Sequence, residues 1–175
     1  MIQLYRREFN SYFNSEEFNI NWINSLDLLR DAKRIFFIGN GGSSAICSHM
    51  AEDFMKVLNI PSMTFSDSAL TSCFSNDFGY ENAISEWLKI NYLSEDVLIA
   101  ISSSGESANI LNGVKYFKEL DEKIITLSGF EKNNSLSDLG DINFHLAIKS
   151  YGIVESFHQI ILHSLLDSMS NESKI

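Results

Sequence analysis

The chain has 175 residues, 45% of them apolar and 21% charged, with a formal net charge of −10. This is enough for one hydrophobic core, in the ordinary mix of a globular protein. The charge excludes nucleic acid as the main partner, because such binding runs on cationic side chains that displace counterions from phosphates, and it argues equally against an anionic membrane surface.

No apolar run reaches about 18 residues, so no segment is predicted to span a bilayer. The start, Met1 to Asn10, is polar and mixed rather than a signal peptide. Cys47 and Cys73 fall in apolar contexts without C-x-x-C spacing and are expected to be free, buried thiols. With Pro61 as the only proline and no linker-like run, residues 1–175 are expected to form one cytoplasmic domain.

In chain order, Gln3 to Asp31 reads as helical, with a stripe of Trp22, Ile23, Leu26, Leu28 and Leu29. The polar stretch Phe13 to Asn21 divides it into two helices that precede an α/β core from about residue 32. Arg34 to Ile38 is a short β-forming run that ends in Gly39-Asn40-Gly41-Gly42-Ser43, a buried strand followed by a glycine-rich turn. Ala45 to Leu58 follows as a helix, and Ser62 to Phe65 as a short strand. Ser68 to Phe74 and Glu81 to Leu88 read as helices around a turn at Asn76-Asp77-Phe78-Gly79. Asp96 to Ile101 is a strong strand that runs into Ser102-Ser103-Ser104-Gly105-Glu106-Ser107. Then come a helix over Ala108 to Leu120, strands over Lys123 to Leu127 and Ile142 to Ile148, and a closing helix over Ile153 to Ser168. Continuously apolar strands alternating with helices predict a parallel sheet covered on both faces. Ligands of such sheets bind beyond the carboxyl ends of the strands, where the two loops of small residues lie.

Four serines in six residues around Gly105, opening a helix, exceed what capping requires. Small hydroxyls and N–H groups at a helix N-terminus suit a phosphate dianion, which an acidic chain has to hold by such local devices. Neither loop matches the nucleotide-binding patterns GxxxxGK[ST] or GxGxxG, so no nucleotide cofactor is indicated. His49 and Asp53, four residues apart on one helix, could bind a metal or form an acid/base couple, but alone they read as an exposed helical pair. Glu155 and His163 are eight residues apart, about 12 Å along a helix axis, so both can serve one site only through a bent helix or a second subunit. His158 points away from His163 and suits a core or surface position, and His145 carries no assigned role.

Taken together, GNGGSSAICSHMAED, SCFSNDFGYEN, DVLIAISSSGESANIL, KIITLSG and VESFHQIILH resemble the phosphoheptose isomerase branch of the sugar isomerase (SIS) family. The match in order and spacing runs from about Arg34 to the end, and the N-terminal helices match only in character. The resemblance implies a flavodoxin-like three-layer sandwich with an N-terminal helical extension. It implies that Ser43, Ser102, Ser104 and Ser107, backed by Ser103, surround a sugar's phosphate. Asn40, Gly41, Gly42, Asn76, Asp77 and Glu155 would contact the sugar, and a zinc ion would sit between His49, Asp53, Glu155 and His163. It also implies a homotetramer with sites between subunits.

Two positions depart from the family pattern: Asp53 stands where glutamate is usual, and Glu155 where glutamine is usual. The activity implied is isomerisation of sedoheptulose 7-phosphate to a manno-configured heptose 7-phosphate through an enediol, with Asp53 moving the proton and His163 acting at the carbonyl oxygen. The alternatives are a non-catalytic module that binds sugar phosphates or proteins, and an isomerase of another ketose phosphate.

Overall fold

The apolar runs assemble into a five-stranded parallel sheet in a computed structural model that describes residues 1–172. In chain order the elements are α1 (Ile2–Phe13), α2 (Glu16–Arg30), β1 (Arg34–Gly39), α3 (Gly42–Leu58), β2 (Ser62–Thr64), α4 (Ser68–Phe78), α5 (Tyr80–Asn91), β3 (Asp96–Ser102), α6 (Ala108–Glu119), β4 (Lys123–Gly129), β5 (Ile142–Leu146) and α7 (Tyr151–Glu172). Because side chains alternate along a strand, β1 sends Ile35 and Phe37 into one core and Phe36 and Ile38 into the other. Residues of α2, α3 and α7 close the first core, and residues of α5 and α6 the second. The expected three-layer α/β sandwich is therefore what forms. No described helix is long and apolar enough to cross a membrane.

The strand order is β2-β1-β3-β4-β5. From β1 the chain turns to one side for β2 and to the other for β3. The ends of β1 and β3 are therefore a topological switch point, where open α/β sheets leave a crevice. At the opposite end of the same two strands, Arg34 forks onto the buried carboxylate of Asp96, at 2.9 and 2.5 Å. That pair ties the strands together away from the crevice.

Several expected boundaries shift. The first two helices part at Asn14-Ser15, where the Ser15 hydroxyl caps α2 by accepting from Phe18 N at 3.1 Å. The expected turn over residues 76–79 is helical as far as Phe78, and Gly79 alone separates α4 from α5. The strand expected to reach Ile148 stops at Leu146, and the last helix is longer than expected at both ends. Cys47 is buried as expected, whereas Cys73 is exposed, because α4 buries none of its residues.

His158 belongs to the core. It is fully buried on α7, and its Nε2 donates to the carbonyl of Ser128 at 3.2 Å. Burial pushes its pKa down to about 4, and the neighbouring His145 adds to the effect. The unfolded chain therefore binds more protons than the folded one between about pH 6.5 and 4. This stability is complete above the unfolded value and is lost as pH falls toward the folded one. Urea unfolding should show wild type losing about 2 kcal/mol more than His158→Gln between pH 7 and pH 5.

Candidate functional site

The loops after β1 and β3 meet at the switch point around a hollow of about 220 Å³. Asn40, Gly41, Gly42 and Ser43 line it from one side, and Ser102, Ser103, Ser104 and Ser107 from the other. Both groups were legible in the sequence, and here they face one space. Tyr151 and Glu155, from the start of α7, complete the wall. A Cβ on Gly42 would lie 2.5 Å from Glu155 Oε1, so the absence of a side chain there is what admits the carboxylate.

α3 and α6 both begin at this hollow, and neither has a side-chain cap on its first turn. Ser107 occupies the N-cap position of α6, yet its hydroxyl meets Ser102 Oγ at 3.3 Å instead of a backbone N–H. Ser102 Oγ also accepts from Gly105 N at 3.1 Å, and Ser104 Oγ from Glu106 N at 3.2 Å, which fixes the loop's shape. The Ser103 hydroxyl is buried and has no partner. Two helix N-termini without side-chain caps and an orphaned hydroxyl form an arrangement that can hold a dianion. A plain capping role accounts for none of these features.

The amide of Asn40 is largely committed elsewhere. Its Oδ1 accepts from Tyr80 and from Asn109, both at 2.9 Å, and its Nδ2 donates to Asn109 Oδ1 at 2.9 Å. One Nδ2 proton remains for a ligand. Asn76 and Asp77 do not join the hollow within this chain. Both are exposed on the last turn of α4, where Asn76 donates to Asp77 at 2.8 Å.

A second cluster lies further along the seam between α3 and α7. His49 and Asp53 are on α3, with Nε2 and Oδ2 3.6 Å apart, and His163 comes from α7 with its ring centroid 5.2 Å from that of His49. One ligand atom from each of the three residues lies within 4.8 Å of the others. Two imidazoles and a carboxylate with an open fourth position suit a divalent ion such as zinc. Glu155 is not among them within one chain: it sits two helical turns away, over Gly42, as its spacing from His163 dictates, so the expected four-residue grouping does not form inside a single chain.

Gln159, midway between Glu155 and His163, fills the intervening turn and donates to Met50 Sδ at 3.1 Å. The 155/159/163 spacing could have flagged it. Tyr151 and Asn109 gave no local signal, because only tertiary contact brings Tyr151 to the hollow and Asn109 against Asn40.

A family model described as the SIS domain matches residues 18–129. The chain is 30% identical over 147 residues to the phosphoheptose isomerase of Hamiltonella defensa, covering 81% of this chain and 71% of that protein. It is 33% identical over 144 residues to that of Cytophaga hutchinsonii, covering 79% of this chain and 75% of that protein. The solved phosphoheptose isomerase of Neisseria gonorrhoeae shares the fold, with a TM-score of 0.85 over 95% of this chain and 91% of that one, at 22% identity.

Proposed function

We infer, from the premise that this chain belongs to the SIS domain family and within it to the phosphoheptose isomerases, that it interconverts sedoheptulose 7-phosphate and D-glycero-D-manno-heptose 7-phosphate. The observation that carries this reading is the gathering of Asp53 and His163 from different helices into one cluster. A module that only binds sugar phosphates needs the hollow but not that cluster.

In this reading the serine loop and the N-termini of α3 and α6 hold the phosphate, which orients the sugar. The carboxylate of Asp53 takes a proton from C1 of the ketose, and His163 delivers a proton to the C2 oxygen, giving the enediol. Asp53 then returns its proton to C2 while the C1 hydroxyl gives its proton to His163 and becomes the aldehyde oxygen, which restores both groups. A zinc ion held by His49, Asp53 and His163 would supply Lewis-acid polarisation of a carbonyl oxygen.

From Gly42, at the hollow, to Asp53 is about 16 Å of helix, further than an extended heptose phosphate bridges with its phosphate seated. We therefore pair the hollow of one subunit with the cluster of another, in a homotetramer. This arrangement also leaves Asn76, Asp77 and Glu155 free to meet a neighbour's substrate or metal. The reading places the protein in the cytoplasm.

The test is incubation of the purified protein with sedoheptulose 7-phosphate, after chelation and after zinc is restored, with the aldose product measured. Aldose formation is expected with zinc, and its absence in both conditions removes the assignment. Binding of the sugar phosphate without turnover would instead identify a binding module.

A further inference from the structure

We propose that the segment from Phe130 to Leu136 is a positioning clamp on the hollow, with Asn134 and Glu106 as its positioning residues. The proposal rests on the hollow being the phosphate site. Four contacts carry it. Leu136 N donates to the carbonyl of Gly105 at 3.0 Å. Ser135 donates twice to the Glu106 carboxylate, from its N–H at 2.7 Å and from its hydroxyl at 2.8 Å. The buried side chain of Asn134 is seated against Gly105, which has no side chain to obstruct it. Phe130 packs edge-on against Tyr151, which lines the hollow, with ring centroids 4.9 Å apart. One segment therefore touches two walls of the hollow.

Asn134 also organises the segment internally. Its Nδ2 donates to the carbonyl of Glu131 at 3.1 Å, and its Oδ1 accepts from Ser137 N at 3.0 Å.

Glu106 makes the clamp necessary. It adjoins hollow-lining Ser107 in the same loop, and a second carboxylate turned inward, besides that of Glu155, would add to the repulsion of a dianion. The two Ser135 bonds hold it outward and keep it ionised by lowering its pKa.

Steady-state kinetics with sedoheptulose 7-phosphate, with inorganic phosphate as competitor, test the clamp. Asn134→Ala should raise both the KM and the phosphate Ki by about five- to tenfold, with kcat within about twofold of wild type. Ser135→Ala should raise both by about threefold, and adding Glu106→Gln to it should bring them back near wild type, because the amide carries no charge to repel phosphate. A role limited to stability would lower the folded fraction, hence the apparent kcat and Tm, without moving KM or Ki. Unchanged KM and Ki in Asn134→Ala, or no rescue by Glu106→Gln, overturns the proposal. Calorimetric titration with inorganic phosphate reads the same ordering of affinities without turnover. A protein that binds phosphate in this order but does not isomerise the heptose phosphate keeps the clamp and loses only the isomerase reading.

Discussion

Asp53→Asn should lower turnover of sedoheptulose 7-phosphate by at least about two orders of magnitude while leaving its affinity nearly unchanged. The substitution keeps the shape of a partly buried side chain and removes its negative charge, and with it the ability to accept a proton and to bind a divalent ion strongly. The phosphate is held by the hollow and not by Asp53, which meets only the reacting end of the sugar, so most of the binding is kept. Steady-state kinetics give kcat, and calorimetric titration of the variant gives Kd. A kcat within tenfold of wild type would remove Asp53 from the role of base, and a matching rise in Kd would make it a binding group. Asp53→Glu, the longer carboxylate usual in the family, should retain turnover within about tenfold, because the base is kept and displaced by one methylene.

Gly105→Ala should destabilise the fold by about 3 kcal/mol and abolish measurable sugar-phosphate binding. Gly105 has φ +70, where an L side chain costs about 1–2 kcal/mol. Its Cβ would also run into the buried amide of Asn134, an overpacking worth about 1–3 kcal/mol. The strain falls on the residue whose N–H is held by Ser102 and whose carbonyl accepts from Leu136. Relaxing it would pull the serine loop out of shape. Urea denaturation and calorimetric titration measure the two effects, and the thermal midpoint should fall by roughly 10 °C. Wild-type stability in this variant would mean that Asn134 moves aside at no cost, and binding at wild-type affinity would mean that the loop's shape is not what holds the phosphate.

The hollow was largely legible from the chain because its parts are local. A strand that ends in Gly39-Asn40-Gly41-Gly42-Ser43 and another that ends in four serines around Gly105 announce themselves in runs of neighbours. The sequence could not show whether Ser107 caps its own helix, because serine is favoured there for that purpose as well. The structure separates the two readings by what the hydroxyl meets: Ser102, and no first-turn N–H. His49 and Asp53 read as an exposed pair until α7 brings His163 against them. Asn76 and Asp77 suggested a turn, but Gly79 alone breaks the helix and leaves both on its exposed surface.

By itself the sequence determined the alternation of buried strands and helices, the two small-residue loops and the candidate acid/base residues. Periodicity, turn chemistry and residue type are properties of short stretches of chain. Only the tertiary structure decided that α3 and α6 open uncapped into one hollow, that within one chain Glu155 lines this hollow and stands apart from the His49–Asp53–His163 cluster, and that Asn134 braces Gly105 from a segment with no motif of its own. Each of these depends on contacts between residues tens to more than a hundred positions apart, and no local pattern encodes such distances.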